Sequence, residues 1–126
     1  MKILKYFKIT SIAIIILGIV HVIATPVMIQ GLRMLDSKTI FCMGYMIVAT
    51  GVAVIATGWL QYFILKKLVI HPSFKTILKG TVIFMLLSGI GAVATTWGNP
   101  FAYLILFIAL YELFLLRFLR LTNETH

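Results

Sequence analysis

Residues 74–118 read FKTILKGTVIFMLLSGIGAVATTWGNPFAYLILFIALYELFLLRF. Two apolar stretches, Phe74 to Trp97 and Phe101 to Phe118, are divided by Gly98, Asn99 and Pro100. Each is close to the about 20 residues that carry a helix across a hydrocarbon core about 30 Å thick. Asn99 is a helix-capping residue type, and proline suits a first helical turn, so the second of these helices begins here. A link of a few residues makes the two helices antiparallel neighbours. Working back along the chain, two more apolar runs appear, Ile9 to Val27 and Ile40 to Leu65. The latter is long enough to tilt or to extend beyond the core.

The composition agrees with these four runs. Of 126 residues, 62% are hydrophobic and 11% charged, with a mean hydropathy of +1.12. A soluble domain is about 25% charged and needs a polar shell that these side chains cannot supply. A disordered chain is excluded by the same numbers, and a disulfide scaffold by the single cysteine, Cys42. The reading is an all-α polytopic membrane protein. Four transmembrane helices, about 9–27, 40–65, 74–97 and 101–118, form one antiparallel bundle with no residues left for a second domain.

The basic residues orient it. Lys2, Lys5 and Lys8 precede the first run; Lys66, Lys67, Lys75 and Lys79 lie around the second connection; Arg117 and Arg120 follow the fourth run. These nine cations fall on one side, and Arg33 and Lys38 fall on the other. By the positive-inside rule both termini are cytoplasmic and the protein sits in the cell inner (plasma) membrane. The net charge of +8 is therefore a one-sided collar, and nucleic acid is not the expected partner. Lys2 to Lys8 before an apolar stretch also has the outline of a signal peptide. The length of the run, His21 near its end and Pro26 beyond it argue against cleavage.

Helix ends and packing positions can also be read. Asp36 and Ser37 suit the start of the second helix, and Pro72 and Ser73 the start of the third. Helices in lipid associate through small residues that let backbones approach. Gly44, Gly51 and Gly58 repeat every seven residues and so keep one face. Ser88 and Gly91, with Thr95, make a similar strip on the third helix. The second and third helices are expected to be central to the packing, within the chain or between subunits.

Polar groups inside hydrocarbon are costly and mark candidate sites. His21 lies in the outer half of the first helix, with Thr25 one turn on and Pro26 beside it. Tyr45, Thr50 and Thr95 on neighbouring helices are candidate hydrogen-bond partners for its imidazole. A polar pocket around His21 and Thr25 is one candidate site. An interhelical structural bond is the plainer alternative, and haem ligation a weaker one. No cofactor is otherwise evident, because the three histidines are too far apart in sequence for ligand spacing and no paired cysteines exist. Glu112 is the sole carboxylate within an apolar run. Left without a partner it would carry a proton, which is what proton-linked transport uses. Lys79 on the third helix is a candidate ion-pair partner. Trp97, Tyr103 and Tyr45 towards one side, and Trp59, Tyr62 and Tyr111 towards the other, read as interfacial belts. Asn123 to Thr125 matches a glycosylation acceptor but falls in the expected cytoplasmic tail.

Leu17, Gly18, His21, Thr25 and Pro26, followed by an aromatic and glycine-bearing second helix, resemble a pattern in small four-helix bacterial membrane proteins of unassigned function. The resemblance covers the first helix and part of the second, and implies a shared role for His21 without implying an activity. Small multidrug-resistance transporters are similar in size and helix number. Their essential membrane glutamate lies in the first helix, whereas Glu112 lies in the fourth. The expected function is thus a non-enzymatic helical binding or interaction module in the bilayer, with a homo-oligomer or another membrane protein as partner. The alternatives are a small proton-linked transporter or channel subunit using Glu112, and a haem protein or enzyme using His21.

Overall fold

The computed structural model describes residues 2–31, 33–68, 71–96 and 98–121, with side chains as far as Leu119. Trp97 and the Asn123 to Thr125 tripeptide lie outside the described residues. Four helices follow in order: α1 (Lys2–Gln30), α2 (Ser37–Leu68), α3 (Phe74–Thr95) and α4 (Pro100–Leu121). Each is long and apolar enough to cross a membrane.

The helices outrun the apolar stretches at several ends. α1 begins at Lys2 rather than near Ile9, and α4 continues to Leu121 rather than ending near Phe118. Hydropathy marks where lipid contact stops, whereas helical hydrogen bonding continues as long as the backbone is helical. α3 stops at Thr95, two residues short of the expected Trp97. There the Thr96 N–H still donates to the Ala92 carbonyl, and Gly98 then takes φ +90°, a left-handed conformation that glycine adopts without strain.

Asp36 caps α2. Its Oδ1 accepts from the Thr39 N–H at 2.9 Å and its Oδ2 from the Thr39 hydroxyl at 2.7 Å. These two bonds favour the ionised carboxylate and hold Asp36 below its ordinary pKa of 3.8. Asn99 caps α4, with Oδ1 accepting from the Phe101 N–H at 3.0 Å. Ser73 makes no side-chain cap on α3. Backbone carbonyls of His71, Pro72 and Ser73 accept from the first helical N–H groups instead.

The most extensive pairings are α1 with α2 and α3 with α4. The expectation that α2 and α3 form the packing centre is corrected by this. The glycine repeat of α2 faces α1 along its whole length. A Cβ at Gly51 would stand 2.5 Å from Val22 Cγ2 and 3.2 Å from the Gly18 carbonyl oxygen. At Gly58 it would meet the Ser11 carbonyl oxygen at 2.8 Å, and at Gly44 the Ile29 side chain at 2.8 Å. On α3 the packing glycine is Gly89, which lies 2.9 Å, by the same measure, from the Leu106 backbone of α4. Gly91 faces open space and takes no part in packing among the described residues of this chain, and Ser88 is half-buried.

Two apolar layers fill the interior. One joins Phe7, Ile64, Leu65, Leu78, Val82, Leu115 and Leu116; the other joins Ile14, Val54, Met85, Ile105 and Ala109. Both contain residues from all four helices.

Two outcomes follow from this packing. Gly58→Ala should destabilise the protein by about 1–3 kcal/mol, the usual range for overpacking, because a backbone carbonyl cannot yield. Gly91→Ala should match or exceed wild-type stability, as measured by thermal unfolding in detergent. For Asp36 the folded pKa is lowered, so its contribution is present above the ordinary value and is lost as pH falls through the folded value. The stability advantage of wild type over Asp36→Ala should therefore narrow as pH drops below about 4.

Candidate functional site

Three helices deliver a polar group to one point in the interior. α1 contributes Thr10, α2 contributes Gln61 and α4 contributes Glu112. The placement follows from helical spacing. Phe7, Thr10, Ser11, Ile14 and Gly18 share the buried face of α1, and Gly51, Val54, Gly58, Gln61 and Leu65 share that of α2. Glu112 lies on the inward face of α4 with Ala109, Leu115 and Leu116. Glu112 and Gln61 are both 0% exposed.

The Thr10 hydroxyl lies 2.7 Å from Glu112 Oε1, and Gln61 Nε2 donates to Glu112 Oε2 at 2.8 Å. Thr10 Oγ1 is also 2.9 Å from the carbonyl oxygen of Phe7, which accepts from the Ser11 hydroxyl at 2.8 Å as well. A hydroxyl carries one proton. Two hydrogen placements therefore satisfy the same heavy atoms. In one, Thr10 donates to an ionised Glu112, and Ser11 alone satisfies Phe7. In the other, a neutral Glu112 donates from Oε1 to Thr10, which donates onward to Phe7. The cluster thus accommodates Glu112 with or without a proton while no heavy atom moves. Gln61 Oε1 is buried and has no hydrogen-bond partner among the described residues.

Lys79, the expected ion-pair partner, is half-exposed and makes no ion pair with Glu112 among the described residues. Amide and hydroxyl groups take the place expected for a cation. Glu112 was the visible member of this cluster. Hydropathy alone does not single out Thr10 or Gln61, although Gln61 is the sole amide side chain inside the second apolar run and stands three residues from Gly58.

The residues assigned to a pocket around His21 separate. His21 is half-buried, with Nδ1 enclosed and without a hydrogen-bond partner among the described residues. Its ring stands edge-on to Phe101, with centroids 6.0 Å apart and planes at 75°. Thr25 is buried and donates to the His21 carbonyl at 3.2 Å. With Tyr45, Gly44, Ile29 and Ser37 it lines a recess between α1 and α2. Tyr45 is largely exposed. Thr50 and Thr95 are exposed, and each hydroxyl bonds a carbonyl of its own helix, Met46 and Gly91 respectively, at 2.8 Å. Neither is brought to the imidazole. Among the described residues no group of three or more His, Cys, Asp or Glu side chains is placed to hold a metal ion.

Comparison with protein-family models, with curated proteins and with solved structures finds no match to this chain.

The coupling within the cluster can be measured. A double-mutant cycle between Thr10→Val and Glu112→Gln should give an interaction energy of about 0.5–2 kcal/mol in detergent unfolding. Additive single effects would mean that the two side chains do not share a proton in the folded protein.

Proposed function

We propose that this chain is a small multi-pass protein of the cell inner membrane, an antiparallel four-helix bundle with both termini cytoplasmic, that holds and passes a proton at Glu112 as a transporter or channel subunit. The observation that carries this reading is the Thr10–Glu112–Gln61 cluster. An ionisable side chain within a membrane span is expensive and, when enclosed by polar partners, marks a proton or ion path by default. The two hydrogen placements supply the chemistry: Oε1 takes a proton from an incoming water and returns it to one, while the Thr10 hydroxyl turns between Oε1 and the Phe7 carbonyl. The orientation rests on the collar of basic residues. The pairing of residues 11–15 with 58, 18–22 with 51 and 29 with 44 supports antiparallel α1 and α2. A homo-oligomer completes the pathway, because four helices packed on solid apolar layers leave little room for one inside a single chain.

A second reading is a binding or interaction module with its site at His21. The enclosed, unpartnered Nδ1 favours it, because a buried imidazole nitrogen gains from an incoming hydrogen-bond partner. Haem at His21 is the narrower form of that reading.

One assay separates the two. In proteoliposomes loaded with a pH-sensitive dye, wild type should dissipate an imposed pH gradient, Glu112→Gln should not, and His21→Ala should behave as wild type. Flux retained in Glu112→Gln refutes the proton reading. Loss in His21→Ala alone transfers the site to the histidine.

A further inference from the structure

The apolar layer nearest the chain termini has a cation attached to it on every helix. Phe7, Leu65, Leu78 and Leu116 pack in that layer, one from each of α1 to α4. In sequence they are followed immediately by Lys8, Lys66, Lys79 and Arg117. Adjacent helical residues lie at nearly the same depth, about 1.5 Å apart along the axis. The four cations therefore ring the same end of the bundle within about one helical turn of one another. Lys8, Lys66 and Arg117 are exposed, and Lys79 is half-exposed. Lys2, Lys5, Lys67 and Lys75 lie further out at the same end.

Nothing in the described chain neutralises this ring. Glu112 is buried and occupied by Thr10 and Gln61. Asp36 precedes α2, at the far end from Lys66 by about 45 Å of helix. Lys66 Nζ lies 4.8 Å from the ring centroid of Tyr62, and Lys75 Nζ donates to the Leu119 carbonyl at 3.3 Å. These contacts hold the side chains without cancelling their charge. Like charges in the low-dielectric margin of a membrane repel and draw anions.

The depth of the ring says which anions. From Lys79 to the end of α3 at Thr95, and from Arg117 back to the start of α4 at Pro100, the helix measures about 25 Å, a little under the hydrocarbon thickness of about 30 Å. Lysine and arginine at that boundary extend their stems along the apolar surface and place their charge among the headgroups. We infer that the Lys8–Lys66–Lys79–Arg117 ring binds the phosphates of anionic phospholipids, one belt of headgroups around the bundle. The inference rests on the membrane reading above and is independent of proton handling at Glu112.

The test is native mass spectrometry of the full chain released from mixed micelles containing phosphatidylglycerol and phosphatidylcholine at equal amounts. Wild type should retain phosphatidylglycerol at least tenfold over phosphatidylcholine. Lys8→Gln, Lys66→Gln, Lys79→Gln and Arg117→Gln, combined, should abolish the preference, while Arg33→Gln with Lys38→Gln at the other end should keep it. Should the combined variant fail to fold by circular dichroism, each single variant should lower retention two- to threefold. Equal retention of the two lipids, or single variants that all match wild type, would overturn the inference. Displacement of the lipid by millimolar inorganic phosphate would also overturn it, since the site would then read a free phosphate and not a membrane-anchored one.

Discussion

The arrangement depends on how closely the α1 and α2 backbones approach. Gly18 and Gly51 face each other across that contact, and Gly58 faces the Ser11 carbonyl. In hydrocarbon two helices gain nothing from hiding apolar side chains, because lipid is as apolar as leucine. What they gain is dispersion contact, which grows steeply as the axes draw together. Glycine is the residue that permits it. The seven-residue repeat of Gly44, Gly51 and Gly58 extends the approach over two turns in each direction, and so fixes the rotation of both helices about their axes. That rotation turns Thr10 and Gln61 inward on the same level. A side chain at Gly58 would separate the helices one turn from Gln61 and withdraw one of the two donors that reach Glu112.

Four spans could be read from the sequence because hydrophobicity is a collective signal. A run of about 20 apolar residues has few other uses. The cap at Asn99 was equally legible, since capping chemistry is local and Phe101 sits two residues away. Helix ends beyond the long apolar runs were not, because three lysines interrupt residues 2–8 and yet the segment continues the same hydrogen-bonded helix. The repeat on α2 was visible, but not which neighbour it meets; sequence spacing defines a face and says nothing of what lies opposite. The same limit explains α3. Gly89 and Gly91 are two residues apart, about 200° around the helix, and only the position of α4 decides which one packs.

Glu112 could be found because charge inside an apolar run is rare. Its partners could not, because threonine is common in such runs and, although Gln61 is the sole amide of the second run, its nearness to Glu112 is a tertiary fact. The expected lysine partner illustrates the difference. Lys79 stands on the appropriate side of the membrane reading, but an amide and a hydroxyl reach the carboxyl from the α1–α2 face instead. Neutral donors suit a group that exchanges a proton. An ion pair would favour the ionised form strongly, whereas hydroxyl and amide groups serve either form.

The polar centre and the basic end are also linked by depth. Thr10, Gln61 and Glu112 stand three or four residues, about one turn, inward of Phe7, Leu65 and Leu116. The apolar layer of those three residues with Leu78 thus stands between Glu112 and the basic end of the bundle, over roughly 5–6 Å of helix. Towards the opposite side, the layer of Ile14, Val54, Met85, Ile105 and Ala109 is backed by a further span of helix. Glu112 therefore lies nearer the basic end of the bundle than the opposite end. On the proposed proton reading the short approach to Glu112 is from the basic end, and the second layer stands between it and the opposite end.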